Sequence, residues 1–214
     1  MSEMGRQQAL RQPAPGQPVV AFDFDGTLTV RDSFTAFLRW RAGSRGWALG
    51  LIRMAPDVAA YARHRDRGRL KAAAVSQFLR GVSRADLERD AENFSAAFWT
   101  RLMRPDARAC WEAWGSRGAW RVIVTASPET TVAPFARRLG ADALLGTPLT
   151  FDELDQVTGG FAAPNCRAAE KVLRLKEAYG PDIRLAAAYG DTSGDTEMLA
   201  IADAPGFRVF RERP

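Results

Sequence analysis

The chain has 214 residues, 46% apolar and 26% charged, with a formal net charge of +5. That balance fits one globular domain, or one domain with a smaller insert, and excludes a disordered or collagen-like chain. The cations are scattered arginines without a helix-turn-helix, zinc or RNA-binding signature, so nucleic acid is not expected as a partner.

Residues 1–16 are polar, hold Pro13 and Pro15, and lack the apolar stretch of a signal peptide, so a disordered lead-in is expected there. Residues 19–22 are a short apolar run that stops at Asp23-Phe24-Asp25-Gly26-Thr27, which predicts a buried strand ending in a polar loop. Residues 31–104 show helical periodicity alone. Phe34, Phe37 and Leu38 share one face, as do Leu87, Ala91, Phe94, Phe98 and Leu102. Gly43, Gly46, Gly68 and Gly81 punctuate the stretch, and Ser83 is a good N-cap. This shift predicts an all-helical insert at 31–104, within a core made of 17–30 and 105–214.

After Pro105 the pattern alternates. Helices are expected at 106–114, 132–139, 168–179 and 196–201, and strands at 120–124, 143–145, 184–189 and 207–210. A small hairpin is expected in 147–161, with its turn at Gly159-Gly160. Strands alternating with helices predict an α/β fold with a parallel sheet covered on both faces. The two cysteines, Cys110 and Cys166, have no metal-type spacing and fit a reducing, cytoplasmic setting.

In such sheets ligands bind beyond the carboxyl ends of the strands. Three predicted strands deliver polar residues there: Asp23, Asp25 and Thr27 from the first, Thr125 and Ser127 from the second, Asp191 and Asp195 from the third. Lys171, near the start of a helix, can reach the same edge. Four carboxylates facing one another repel strongly unless a hard cation with oxygen ligands lies between them, and magnesium is the usual choice beside a phosphate. Ser127 reads as a turn or backbone-supporting residue.

The ordered set Asp-Phe-Asp-Gly-Thr, Thr125, Lys171 and Gly-Asp-Thr-Ser-Gly-Asp resembles the haloacid dehalogenase superfamily over residues 19–209. The helical insert is similar to the C1-type cap of its phosphoserine-phosphatase-like branch, subfamily IB, on a Rossmann-like sheet. Arg31-Asp32, the Thr125-Ala126-Ser127-Pro128-Glu129 turn and Asn165-Cys166-Arg167 resemble a bacterial subgroup that includes phosphatidylglycerophosphatase C. The resemblance implies that Asp23 is a nucleophile that becomes an aspartyl-phosphate, and that Asp25 is the general acid and base. It implies a magnesium ion on Asp23, Asp191 and the backbone carbonyl of Asp25, with Asp195 and Thr27 in support. Thr125, Lys171 and the Gly26 N–H would meet the phosphoryl oxygens, and Asp32 falls where phosphoserine phosphatases place the residue that meets the substrate's amine.

The expectation is thus a magnesium-dependent phosphomonoester hydrolase, with phosphatidylglycerophosphate as the specific substrate. A small soluble phosphate such as phosphoserine, transfer to a second alcohol, and a non-catalytic phosphate-binding module stay open as alternatives. The apolar stretch 47–62, flanked by Arg41, Arg45, Arg63, Arg65, Arg67 and Arg69, suits peripheral contact with an anionic membrane at the inner face. Arg53, Pro56 and Asp57 interrupt it, and a spanning helix needs about 20 mostly apolar residues.

Overall fold

The computed structural model describes residues 12–64 and 67–214. In chain order the elements are β1 (Val19–Phe22), α1 (Ser33–Arg53), α2 (Ala55–His64), α3 (Arg67–Leu79), α4 (Arg84–Leu102), α5 (Pro105–Ser116), β2 (Trp120–Pro128), α6 (Glu129–Leu139), β3 (Ala143–Thr147), β4 (Leu149–Phe151), β5 (Val157–Phe161), α7 (Ala169–Tyr179), β6 (Leu185–Gly190), α8 (Thr196–Ala200) and β7 (Ala202–Phe207).

Every residue of β1 is buried, because it runs down the middle of a five-stranded parallel sheet in the order β3-β2-β1-β6-β7. Successive side chains point to opposite faces. Val20 and Phe22 join Trp111 of α5 with Val132 and Phe135 of α6 on one side. Val19 and Ala21 join Leu175 of α7 with Met198 and Leu199 of α8 on the other. The expected α/β fold with a doubly covered parallel sheet is the one observed. From β1 the chain goes out to β2 and β3, then returns to β6 on the opposite side of β1. Such a reversal opens a crevice at the carboxyl ends of the two central strands.

The described residues of 33–102 hold four helices, α1 to α4. The strands of chain entering and leaving them lie side by side: Val30 N–H donates to Leu102 O at 2.8 Å and Arg104 N–H to Leu28 O at 2.9 Å. Asp32 and Ser83 cap α1 and α4 by accepting from Thr35 N and Asp86 N. Gly43 (φ 67, ψ 173) breaks α1 and Gly81 (φ 77) follows α3, whereas Gly46 lies within α1. Phe34, Phe37, Val75, Leu87 and Phe94 belong to the same continuous apolar cluster as Val20 and Ile123 of the sheet. The contact is aromatic: Phe94 meets Phe37 at 5.5 Å and Phe135 at 6.1 Å between ring centroids.

Three expectations need correction or limit. The hairpin is present as β4 and β5, but its turn is not at Gly159-Gly160, which lie inside β5. Asp152 makes the turn, its carboxylate accepting from Leu154 N and Gln156 N, with Asp155 left-handed at φ 57. Gly159 serves close approach instead: a Cβ there would lie 3.1 Å from Ser76 Cα of α3. The last strand is 202–207 rather than 207–210, because Asp203, Pro205 and Gly206 read as turn residues yet form an edge strand, where such residues are tolerated. Residues 1–11 of the expected lead-in lie outside the described residues, whereas 12–18 carry a turn held by Gln17 Nε2 donating to Gly118 O.

Candidate active site

β1 runs directly into Asp23, whose N–H still donates to Tyr189 O of β6 at 2.9 Å. The chain then makes a wide turn over Phe24–Leu28, in which Asp25 and Gly26 leave helical geometry. Gly26 takes φ 87, and any Cβ there would overlap the Asp191 carboxylate. The glycine therefore gives both the turn and the clearance that lets Asp191, following β6, approach the first loop.

Lys171 is the pivot of the site. It is 1% exposed, and its ammonium donates to Asp23 Oδ1 at 2.6 Å, Val124 O at 2.7 Å and Asp195 Oδ1 at 2.7 Å. Three acceptors satisfy its three protons. The other oxygen of Asp195 accepts from Asp191 N, Thr192 N and Thr192 Oγ1 at 2.9–3.2 Å. Asp195 is thus fully engaged, and Lys171 and these donors hold its carboxyl below the usual range against burial, which pushes upward. Its neighbours hold the Lys171 ammonium firmly protonated.

Asp23 is the opposite case. Burial pushes its carboxyl up to about 7, with Asp195 and Asp25 adding to the rise and Lys171 opposing it. Asp191 is also raised, by burial and by Asp195. Carboxylate oxygens of Asp23, Asp191 and Asp195 lie within 4.8 Å of one another. Two raised carboxyls and a third engaged by Lys171 and by the Asp191–Thr192 donors form a site short of positive charge. The donors are all oxygen, a set whose chemistry fits a hard divalent cation.

The Asp25 side chain turns away from that cluster. Its Oδ1 accepts from Ser33 N at 2.6 Å, and its Oδ2 accepts from the Ser127 hydroxyl. Burial, then Asp32, raise its carboxyl, opposed by Lys71, Ser127 and Ser33. Thr125 is fully buried within the second half of β2, and its Oγ1 accepts from Ser127 N at 3.1 Å. Thr27 Oγ1 lies 3.5 Å from Asp191 Oδ1. Gly26 N–H, expected to face phosphoryl oxygens, points to Thr29 Oγ1 at 3.3 Å. Asp32, besides capping α1, lies 3.9 Å from the Lys71 ammonium.

Asp23, Asp25, Gly26, Asp32, Thr125, Lys171, Asp191 and Asp195 all line one cavity of about 770 Å³. Two contributors were missed by sequence reasoning. Lys71 of α3 donates to Ser127 Oγ at 2.9 Å and lies 4.0 Å from Asp25. Arg208, after β7, donates from Nε to Asp191 O at 2.6 Å. Neither stands in a motif, and no spacing marks them. Ser127 is more than a turn residue, since it links Lys71 to Asp25.

The helix that carries Lys171 begins under strain. Ala168, its N-cap, has φ 56 and ψ −130, a region that suits glycine. Ala168→Gly is expected to stabilise the fold by about 1 kcal/mol, the strain relieved less the greater flexibility of unfolded glycine. Urea unfolding reads this; a loss of stability would show that the backbone is not strained there.

Comparison with known proteins agrees with this architecture. The profile of the haloacid dehalogenase-like hydrolases matches residues 20–200. Protein CicA of Caulobacter vibrioides is 60% identical over 196 residues, 92% of this chain and 88% of that protein. A protein with unknown function from Bordetella pertussis Tohama I superposes with a TM-score of 0.74 at 22% identity, covering 88% of each chain. A substrate-bound phosphoserine phosphatase superposes at 0.58 and 16% identity, over 89% of this chain and 85% of the other. Together with the strand-end carboxylates and the buried lysine, the profile match makes this chain a member of the haloacid dehalogenase-like hydrolase family.

Proposed function

We propose that the protein is a magnesium-dependent phosphatase that cleaves phosphomonoesters through an aspartyl-phosphate on Asp23. The observation that carries this reading is the division of the two loop carboxylates. Asp23 sits on Lys171 and beside Asp191, while Asp25 is turned aside into hydrogen bonds from Ser33 and Ser127. That division supports a reading in which one carboxylate attacks and the other transfers the proton.

In this mechanism Asp23 attacks phosphorus while the Thr125 hydroxyl meets the phosphoryl oxygens. Lys171, expected from the sequence to do the same, instead orients the Asp23 carboxylate, its three protons being held by Asp23, Val124 O and Asp195. Asp25 gives its proton to the leaving alcohol and then takes one from the water that cleaves the acyl phosphate. Magnesium, held by Asp23, Asp191 and the Asp25 carbonyl, supplies charge neutralisation at the phosphoryl group. Purified protein is expected to hydrolyse p-nitrophenyl phosphate repeatedly with magnesium and to stop with EDTA. A non-catalytic phosphate-binding module would not turn over.

The raised Asp23 carboxyl gives the metal a pH dependence. A proton must leave Asp23 before an ion binds, so below about 7 magnesium affinity should rise up to tenfold per pH unit, and level off above it. Calorimetry at pH 6 and 8 should show the tighter binding at pH 8 and proton release at pH 6. Equal affinity at both would remove Asp23 from the ligand set.

The helices of 33–102 act as the cap in this reading. Lys71 beside Asp32 disfavours phosphoserine, because a substrate ammonium would have to share Asp32 with a lysine. Phosphatidylglycerophosphate remains the specific substrate suggested by the resemblance. Anionic membrane contact is part of the same proposal: Leu49 and Ile52 are 56% and 70% exposed, and Arg45, Arg53 and Arg63 are exposed nearby. Arg41 is engaged with Asp90 at 2.8 Å, while Arg65 and the Arg67 side chain lie outside the described residues. Among the described residues no helix is long and apolar enough to cross a membrane. Co-sedimentation with anionic vesicles at low salt tests the contact, and absence of binding overturns it.

A further inference from the structure

The cavity that holds the carboxylates is much larger than a phosphoryl group needs, and its two ends differ in chemistry. The floor, at the sheet edge, is charged. The opposite wall comes from α1, α2 and α3 and is lined by Phe34, Leu38, Trp47, Met54, Leu70 and Phe78. Lys71 is the one charged side chain that these three helices add to the lining among the described residues, and it stands at the junction of the two ends, 2.9 Å from Ser127 and 5.9 Å from the Phe34 ring centroid. Away from the sheet the lining reaches Leu51 and Val58, which are 41% and 43% exposed. The apolar part therefore runs from the reacting group to an open mouth.

This shape is built rather than left over. Gly50 has no side chain because Phe78 of α3 occupies the place a Cβ would take, and Trp47 stacks on the same ring at 5.1 Å. The two aromatic rings both line the cavity, and a larger residue at position 50 would displace the Phe78 ring. Apolar surface left against water carries a cost of about 25 cal/mol per Å². A concave patch of it, continuous with a reaction site, marks a binding surface.

Resting on the phosphatase reading above, we propose that the α1–α3 wall is the subsite for an apolar chain, and that the substrate is an amphiphilic phosphomonoester whose chain leaves the site past Lys71 toward Leu51 and Val58. Along that wall Thr35, Tyr61 and Lys71 are the polar side chains among the described residues, and the rest of the lining that α1–α3 supply is apolar. A substrate without a chain would leave the apolar wall facing water. The chain stays bound in both ground and transition states, so its contribution should appear in KM rather than kcat.

The test uses the whole protein with saturating magnesium and a series of n-alkyl phosphates from ethyl to decyl, each kept monomeric. Expected is a fall in KM of about fourfold per added methylene over the first several carbons, which corresponds to about 0.8 kcal/mol per buried CH₂, followed by a plateau where the chain emerges. Ala74→Trp, which narrows the cavity from α3, should flatten that slope; Met54→Asp, which makes the wall polar, should do the same if the tryptophan variant does not fold. Binding of n-alkyl phosphonates, which cannot be hydrolysed, is followed in parallel by calorimetry and should tighten with length with a negative heat-capacity change. Turnover of short esters with no chain-length slope in either assay overturns the subsite and leaves the phosphatase reading intact. A slope in phosphonate binding with no turnover of any ester supports the subsite and overturns the phosphatase reading. A dimer in sedimentation that dissociates on Leu51→Glu, without any slope, assigns the apolar mouth to a second copy of the chain and overturns the proposal.

Discussion

Asp23→Asn is expected to abolish turnover and to leave no phosphate on the protein, while Asp25→Asn slows turnover by about 10²–10⁴-fold and accumulates a phosphoenzyme. The asymmetry follows from what each carboxylate touches. Asp23 meets Lys171 at 2.6 Å, and an amide there cannot attack phosphorus or carry a cation's charge. Asp25 has no such cation on its side chain at hydrogen-bonding distance; it accepts from Ser33 N and Ser127 Oγ, and Lys71 stands 4.0 Å off. Burial and Asp32 raise its carboxyl, which suits a group that must carry a proton before it can give one. With p-nitrophenyl phosphate the leaving group needs little protonation, so the first step survives Asp25→Asn. Release of phosphate still needs a base, so it stalls. Rapid quench and intact mass should show one added phosphoryl group on the Asp25→Asn protein. Finding that group on the Asp23→Asn protein instead would reverse the two roles.

How much of this was legible in the sequence depends on how local each feature is. The loop after β1 and the Asp191–Asp195 loop were readable because an apolar run that stops at carboxylates is a local pattern, and a parallel sheet puts all such stops at one edge. The helical insert was readable from its periodicity. Lys71 was not, because nothing about a lysine in an Arg-rich helix tells which way α3 will face; that is decided by Val75 and Leu79 packing into the shared apolar cluster. Ser127 looked like a turn residue because its partner Asp25 is 102 positions away. β7 was misplaced because its sequence, Ala-Asp-Ala-Pro-Gly-Phe, has little of a strand's character, and its pairing with β6 makes it one. The apolar wall was visible as composition, but whether 47–62 would fill a cap core or line a cavity depended on where Gly50 let Phe78 sit.

Lys171→Met should cost about 3–5 kcal/mol of folding stability as well as activity, because it removes one partner of a buried charge cluster and leaves the others behind. The side chain is almost the same length, so packing changes little and the loss is electrostatic. Lys171 is the cation that Asp23 and Asp195 share inside the protein, and Val124 O would lose its donor as well. Without it both carboxyls would be favoured in protonated form when folded. A carboxyl whose folded pKa lies above its unfolded value adds stability below the unfolded pKa, about 3.9, and that stability is lost as pH rises through the folded value. The deficit of the variant relative to the parent should therefore be small near pH 4 and largest above pH 7. Adding Asp195→Asn removes one of the two stranded charges, so the double variant should recover part of the stability at pH 7.5 and none of the activity. Urea unfolding of the metal-free parent, single and double variants at pH 4.5 and 7.5 measures the deficit and its recovery, and a phosphatase assay of the double variant measures the activity. A deficit of the same size at both pH values would mean that Lys171 holds the site through packing alone, and that Asp23 and Asp195 find other partners when it is gone.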